Sequence, residues 1–481
     1  MTTDNNMRLI TGFILVLFLG IGACGEGPVI TPDRNTSISI VGEQFHINGV
    51  PTYEGREWTT SYGGKYFVEG LLMNARLVQG VFDDLNPQTR GQWIYPDTKE
   101  WDADRNTREF INAMASWREH GLLSFTLNLQ GGCPYGYCRD QPWDNSAFAP
   151  DGSLRDEYMF RLDQILFRAD ELGMVVILGY FYFGQDDNLE DEQAVITAVE
   201  NATKWVLEKG FTNVIVEINN ECNVRYDHDI LQCARVHELI NIAKGISVDG
   251  HSLYVSTSLG GGRVPPANIV EASDYILLHG NGVRDPARME NMISQVREMD
   301  EYTPRPVVNN EDDQPWRVEA QGWGEEENNF VVCVKNYASW GFFDFRPDRE
   351  HYDYNQGYQS IPVNWQISSE RKRDFFRMLA EITGSTGTPI VDAGFSDDFG
   401  NVTVNIEGVR TDTNLEQVLL IVNDDIVAVL EEGPYEFSLS EIPEKEHWIK
   451  IRVIYSSAGE PVIIESPYYQ NPWWPYGGPA R

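Results

Sequence analysis

Two acidic side chains, Glu221 and Glu311, carry the chemistry this sequence offers. Each closes an apolar run: Val214-Ile215-Val216-Glu217-Ile218-Asn219-Asn220-Glu221 and Pro306-Val307-Val308-Asn309-Asn310-Glu311. The β-branched part of each run has the composition of a buried strand, and each then runs out into amides and a carboxylate. Polar groups held at the end of a rigid strand are where catalytic side chains sit in parallel α/β folds. Two carboxyls converging on one substrate suit glycoside hydrolysis: one, protonated, helps the leaving oxygen depart, and the other, ionised, attacks or activates water. A drier setting would raise the pKa of the carboxyl that acts as the acid, and a nearby arginine would keep the other ionised. Arg76, in Asn74-Ala75-Arg76, is the candidate for that arginine. Asp312 and Asp313 follow Glu311 directly, and either becomes the attacker if the strand ends one residue later.

These carboxyls meet only if the chain between them brings both strands to the same rim. Glu221 and Glu311 are 90 residues apart, room for three βα units of about thirty residues each, the usual repeat of a parallel barrel. Glu221 then ends strand four and Glu311 ends strand seven, facing each other across one mouth. Apolar runs predict the eight strands over 71–81, 122–129, 174–181, 214–218, 253–258, 275–279, 306–309 and 339–345. Helical spacing predicts helices over 105–120, 153–172, 192–208, 230–246, 286–299 and 369–382. The expectation is a (β/α)8 TIM barrel over 38–383, with an open doubly wound sheet as the alternative. A hairpin over 39–47 precedes it. Asn128, Tyr182 and Asn281, with Gln130, Gln185 and Asp186, fall near predicted strand ends and are candidates to line the substrate site.

Beyond the linker Gly384-Ser385-Thr386-Gly387-Thr388-Pro389 the hydrophobic period becomes two, at Val402, Val404 and Ile406 and at Ile449, Ile451, Val453 and Tyr455. That predicts a small C-terminal all-β sandwich over 390–481, immunoglobulin-like, with the aromatic tail around Trp473 and Trp474 packing back onto a domain.

Asn220-Glu221 after strand four, with a glutamate after strand seven, resembles glycoside hydrolase clan A, the retaining barrel superfamily of cellulase-like and mannanase-like enzymes. The lead-in Phe45-His46-Ile47-Asn48-Gly49-Val50-Pro51 is also similar, and the resemblance covers roughly residues 44–383. It implies Glu221 as acid/base, Glu311 as nucleophile and Asn220 on the sugar 2-hydroxyl. It further implies His279 beside the nucleophile, Trp340 as the sugar-stacking ring of strand eight, and double displacement with net retention. The competing reading is a surface glycan-binding lipoprotein on a barrel whose chemistry has lapsed.

The remaining features narrow the class. A net charge of −36 argues against nucleic acid and anionic membrane surfaces and favours a neutral ligand over a polyanionic one, although local arginine clusters could still bind an acidic sugar; the partner the resemblance implies is carbohydrate. Residues 1–24 read as a leader: Arg8 precedes an apolar run over 10–23 that ends Leu19-Gly20-Ile21-Gly22-Ala23-Cys24. This resembles a bacterial lipoprotein signal, implying export and membrane attachment through a lipidated Cys24, with an ordinary signal peptide as the alternative. Residues 25–37 read as a tether. Cys133 with Cys138, and Cys222 with Cys233, could close short loops, leaving Cys333 over. No cofactor or metal is expected: Cys/His spacing for zinc is absent, and the acidic run over 186–192 lacks the alternation and glycine of a calcium loop. There is no Gly-x-Ser-x-Gly elbow for a serine hydrolase.

Overall fold

Eight short parallel strands carry the molecule: β1 Asn74–Arg76, β2 Ser124–Asn128, β3 Val175–Phe181, β4 Val214–Asn219, β5 Tyr254–Ser256, β6 Ile276–His279, β7 Val307–Glu311 and β8 Gly341–Phe342. The structure is a computed structural model that describes residues 34–133, 138, 140–396, 400–407, 414–439, 447–457, 460–471 and 474–475. The expected leader, Cys24, and the tether up to residue 33 lie outside them, as does Trp473. Strands β5-β4-β3-β2-β1-β8 pair in parallel in that order, and β6 pairs with β7. Parallel bridges Val308–Ser339 and Asp312–Phe342 join β7 to β8. On the other side the Asp274 amide, just before β6, donates to the Val255 carbonyl of β5 at 2.9 Å.

Helices return the chain between strands: α1 Ala103–Glu119, α2 Asp156–Glu171, α3 Glu192–Glu208, α4 Val236–Gly245, α5 Ala267–Ala272, α6 Pro286–Arg297, α7 Asn329–Lys335 and α8 Glu370–Thr383. Their starts follow capping chemistry. The carboxylates of Asp102, Asp191 and Asp285 accept from the backbone amides of Arg105, Ala194 and Ala287, satisfying donors the helix leaves open. Gly384, at φ 73, ends α8 in a left-handed cap. Helices α5 and α7 were not expected from the sequence; with 6 and 7 residues they are too short to establish a period.

Strand alternation sorts the side chains into two cores. Met73, Ala75, Phe125, Leu127, Val214, Val216, Ile276 and Leu278 pack outward with helix residues such as Phe110 and Leu162. Leu72, Val175, Ile177, Ile215, Tyr275, Leu277 and Val308 form a separate inner cluster with Ile38 and Phe45. Those two come from an N-terminal hairpin, Ile38–Val41 with Gln44–Ile47. Ile38 donates to the Thr212 carbonyl and Phe45 to the Gly70 carbonyl, both at 2.9 Å, so the hairpin closes the end where the strands begin and leaves the carboxyl ends of the strands for the site. Thr36 is buried against Asp170, so the chain is already anchored to the body within the stretch read as a tether.

The C-terminal part holds two antiparallel sheets. One contains β9 Ile390–Phe395, β10 Asn401–Glu407 and β13 Glu436–Ser438. The other is built from β11 Asn414–Val422, β12 Asp425–Leu430, β14 His447–Ser457 and β15 Glu460–Glu465, with Tyr469–Asn471 at one side. Val402, Val404, Ile449, Ile451 and Val453 face one shared core, joined by Ala115 of α1. Residues 34–481 cluster as one compact unit. The Tyr455 hydroxyl reaches Glu119 of α1 at 2.9 Å and Arg105 reaches the Tyr468 hydroxyl at 3.1 Å.

Two glycines set how closely the inner side chains pack. A Cβ at Gly341 would lie 2.1 Å from Asn74 Oδ1 and 2.8 Å from the Asn310 Cα, and one at Gly179 would lie 2.2 Å from Asn128 Oδ1. Gly341→Ala is therefore expected to cost ~1–3 kcal/mol of stability through overpacking, read as a lower Tm by circular dichroism. An unchanged Tm would show that the inner layer is looser than these distances require.

Candidate active site

Arg76, at the carboxyl end of β1, is fully buried and reaches three partners. Its Nε lies 2.6 Å from Glu311 Oε2 and its Nη1 lies 3.4 Å from Glu217 Oε2. Its Nη2 donates to Asn220 Oδ1. His279 ends β6 and lies between the two candidate catalytic carboxyls, with Nδ1 3.0 Å from Glu221 Oε1 and 3.7 Å from Glu311 Oε2. Asn281 Nδ2 donates to Glu311 Oε1 at 2.8 Å. One oxygen of Glu221, one of Glu311 and a ring nitrogen of His279 all lie within 4.8 Å of one another. The arginine ion pair leaves this group short of the anionic, open donor set a divalent cation favours.

The backbone holds each carboxyl firmly. Glu221 follows β4 in the left-handed region at φ 56, a conformation that costs about 1–3 kcal/mol for a residue with a side chain. Its amide donates to Ser258 Oγ at 3.0 Å, and the next amide, Cys222, donates to the Ser258 carbonyl at 2.9 Å. Cys222 is bridged to Cys233, and the Tyr226 hydroxyl donates to the Asn220 carbonyl at 2.6 Å. At β7, the amides of Gly280 and Asn281 donate to the Glu311 carbonyl at 2.7 and 3.2 Å.

Three carboxyls, Glu217, Glu221 and Glu311, thus share one arginine and one histidine. Burial pushes Glu311 up to about 7, against the pull of Arg76 and His279, with Glu221 and Glu217 adding to the rise. Burial also raises Glu221, but the His279 hydrogen bond and charge, with Arg76 and Asn281, outweigh it and hold this carboxyl below the usual range. Burial disfavours a charged His279, yet Glu311 and Glu221 hold its pKa above that of a free imidazole. Glu311 is therefore the carboxyl with the raised pKa, the reverse of the sequence expectation, because the His279 hydrogen bond favours the charged form of Glu221. The two carboxyls are close enough to titrate as one unit.

The other expected site residues divide. Arg76, Asn220, His279 and Asn281 join the carboxyls as described. Tyr182, just beyond β3, has its hydroxyl pKa pushed up by burial and then by the charges of Glu311 and Glu221. Asn128 ends β2 with its carboxamide against Gly179 and makes no contact with either carboxyl. Trp340 is not a sugar platform. It is fully buried, stacks on Phe330 of α7 with ring centroids 4.4 Å apart, and donates from Nε1 to Asp312 Oδ2 at 2.9 Å. The reason is strand parity: Gly341 faces inward against Asn74, so its neighbour Trp340 must face the helices.

The competing attackers turn away as well. Asp312 takes the Trp340 and Asn309 side chains, and Asp313 pairs with Arg317 at 2.8 Å. Sequence reasoning gave no role to Glu217 and did not single out Asn310, whose Nδ2 donates to Glu217 Oε2 at 3.3 Å beneath Arg76. Period two held the signal: Glu217 shares the inward parity of Ile215, and Asn310 that of Val308.

No family model matches the chain, and no curated protein matches it. Solved structures similar to it include glycoside hydrolases. One is the endo-β-1,4-mannanase of Thermotoga petrophila, at 14% identity and TM-score 0.38, covering 75% of this chain and 94% of that one. Another is a glycoside hydrolase family 5 protein of Bacteroides vulgatus, at 11% identity and TM-score 0.41, covering 86% and 94%. A third is the β-glucuronidase of Bacteroides uniformis, at 12% identity and TM-score 0.40, covering 89% of this chain and 47% of that one. This chain thus spans about half the length of that β-glucuronidase.

The buried cluster has a pH signature. Glu311 binds its proton up to about 7 when folded but releases it near 4.5 when unfolded, so between these values the native state binds more protons and stability falls as pH rises. Asp312, pushed up to about 7 mainly by burial, and the raised His279 act in the same direction. Calorimetry should show Tm falling between about pH 5.5 and 8, with Glu311→Gln and Asp312→Asn each flattening part of that fall. A Tm that rises through this window would contradict the assignment.

Proposed function

We propose that this chain is a retaining glycoside hydrolase acting on an oligo- or polysaccharide, with Glu311 as nucleophile and Glu221 as acid/base. The observation that carries this is the close approach of the two carboxyls, one oxygen of each lying within 4.8 Å, with Arg76 paired to Glu311. That spacing suits attack on the anomeric carbon by one carboxylate better than the wider gap that accommodates a water in inverting enzymes.

In the first step Glu311 Oε attacks the anomeric carbon while the proton held by the pair passes from Glu221 to the leaving oxygen. His279 Nδ1, 3.0 Å from one carboxyl and 3.7 Å from the other, lies where it can move that proton from Glu311 to Glu221 as substrate enters. The Arg76 ion pair keeps Glu311 anionic once the proton has left. In the second step Glu221 takes a proton from water, which displaces Glu311 and releases the sugar with net retention. Asn220 commits its carboxamide oxygen to Arg76, leaving Nδ2 as a donor for the sugar 2-hydroxyl.

On this reading the parallel strand order β5-β4-β3-β2-β1-β8-β7-β6 is that of a (β/α)8 barrel of clan A type over 38–383, and the two C-terminal antiparallel sheets form an immunoglobulin-like sandwich over 390–481. Bridges Cys133–Cys138 and Cys222–Cys233 support an exported protein in an oxidising compartment, consistent with a leader ending in a lipidated Cys24.

A 2-fluoro-glycoside that reacts with the protein should leave a covalent sugar on Glu311, located by peptide mass spectrometry. Glu221→Ala should lower kcat on substrates with poor leaving groups by about 10²–10⁴-fold, with azide restoring turnover of activated aryl glycosides. Carbohydrate binding without labelling or turnover would return the reading to a non-catalytic glycan-binding lipoprotein.

A further inference from the structure

Arg225, four residues beyond Glu221, is exposed, and its backbone is held in the left-handed region at φ 36. Such a conformation persists in a non-glycine residue when its surroundings over-determine it, and it collects at ligand clamps. The loop is fixed on both sides of Arg225 by the Cys222–Cys233 bridge and the buried Tyr226. The Arg225 guanidinium lies 5.6 Å from the Phe183 ring centroid. Phe183 in turn packs on Tyr182 with centroids 4.4 Å apart. Arg225 also pulls the Tyr182 hydroxyl down against the upward push of burial and the two catalytic carboxyls. A positive charge is thus held one aromatic ring away from Tyr182, whose hydroxyl also feels the charges of Glu311 and Glu221.

Arg225 also lines a recess of about 410 Å³ with Asn223, Tyr226, Gln232 and the Cys222–Cys233 bridge. This recess adjoins Glu221 directly in the chain. The charge setting is unusual for this molecule. The sequence holds 73 acidic and 37 basic residues excluding histidine, so basic side chains have carboxylates in excess to pair with. Yet Arg225, Arg263 and Arg284, on the loops following β4, β5 and β6, make no ion pair among the described residues. The three loops are packed together: Asn223 Oδ1 accepts from the Gly260 amide at 2.7 Å, and a Cβ at Gly261 would lie 1.9 Å from the Asn281 carbonyl. Asp227 and Asp229 follow Arg225 at two and four residues without pairing to it; Asp229 Oδ1 instead accepts from Gln232 at 3.2 Å.

An arginine without an ion pair, lying over an aromatic ring near the proposed carbohydrate site, has the planar donor geometry that recognises carboxylate or sulfate groups. In a chain of net charge −36 such a patch discriminates, because the rest of the surface repels anions. We propose that the recess at Arg225 is a subsite for an anionic substituent, so that the preferred substrate is an acidic glycan carrying a carboxylate or a sulfate ester. This deepens the hydrolase reading by naming a substrate class, and it rests on that reading only for the identity of the neighbouring reaction centre.

The test measures binding by titration calorimetry to the full chain carrying Glu221→Ala, so that cleavage does not interfere. The probes are a uronic-acid oligosaccharide, the same oligosaccharide after carboxyl reduction, and a sulfated neutral oligosaccharide. At least one anionic probe should bind roughly tenfold tighter than the reduced one at low salt, with the gap closing as ionic strength rises. Adding Arg225→Gln should remove most of the preference without weakening the reduced probe, while Arg225→Lys keeps part of it. Preference for the uronate or for the sulfated probe identifies which anion is read. Equal binding of all three probes, or an Arg225→Gln change that weakens charged and neutral probes alike, overturns the proposal. An acidic glycan that binds through Arg225 but is never cleaved by the unmodified protein keeps this inference and defeats the hydrolase reading. Cleavage confined to neutral glycans does the opposite.

Discussion

The site depends on one buried guanidinium. Arg76 has no exposed surface, and a cation taken out of water is sustained only by charges and hydrogen bonds supplied by the protein. Glu311 at the end of β7, and Glu217 and the Asn220 carboxamide oxygen on and just beyond β4, supply them. The same contacts fix the positions of those side chains, so the ion that needs compensation also aligns β1, β4 and β7 at the carboxyl end of the sheet. Glu217 has a particular part here. Lying below Glu221 and Glu311 with Asn310 and Arg76 as partners, it adds a negative charge to the cluster and raises the cost of ionising Glu311. This crowding of carboxyls holds a proton on the cluster, the proton that the proposed mechanism uses.

Around that charge cluster the protein spends rigidity. Glu221 occupies a left-handed backbone conformation, and Ser258, the Cys222–Cys233 bridge and Tyr226 hold it there. At the far end of the strands the N-terminal hairpin fills the interior with Ile38 and Phe45. An apolar floor and a polar rim result: inward positions change from Leu72, Ile215 and Leu277 at the plugged end to Arg76, Glu217 and His279 at the open end. The C-terminal β-module is tied to α1 through Tyr455, Arg105 and Tyr468, on a helix that lies outside the strands rather than at the mouth.

Much of this was legible in the sequence because strands are short, continuous apolar runs and helices carry a clear period. The α3 bounds, Glu192–Glu208, were read as they occur, and the carboxylate ends of β4 and β7 were visible as abrupt changes from valine and isoleucine to asparagine and glutamate. What was not legible depended on facing. Trp340 was read as a site residue because it lies in strand eight, but a strand presents alternate residues to opposite sides, and only the packing of Gly341 against Asn74 fixes which side is inner. Asn128 has the right place along its strand and no contact with the carboxyls. Glu217 was assigned no role because a carboxylate in the middle of an apolar run has no partner visible in sequence; Arg76 is 141 residues away. The proton's place in the pair was also beyond sequence, since it turns on which carboxyl His279 hydrogen-bonds.

The central claim is that Glu311 and Glu221 act on opposite sides of one glycosidic bond, close enough for a covalent intermediate. The most direct measurement is the anomeric configuration of the sugar first released, followed by proton NMR before mutarotation during turnover of an aryl glycoside. The account predicts that the released sugar has the configuration of the substrate. Release of the opposite anomer would place a water between the carboxyls and contradict it.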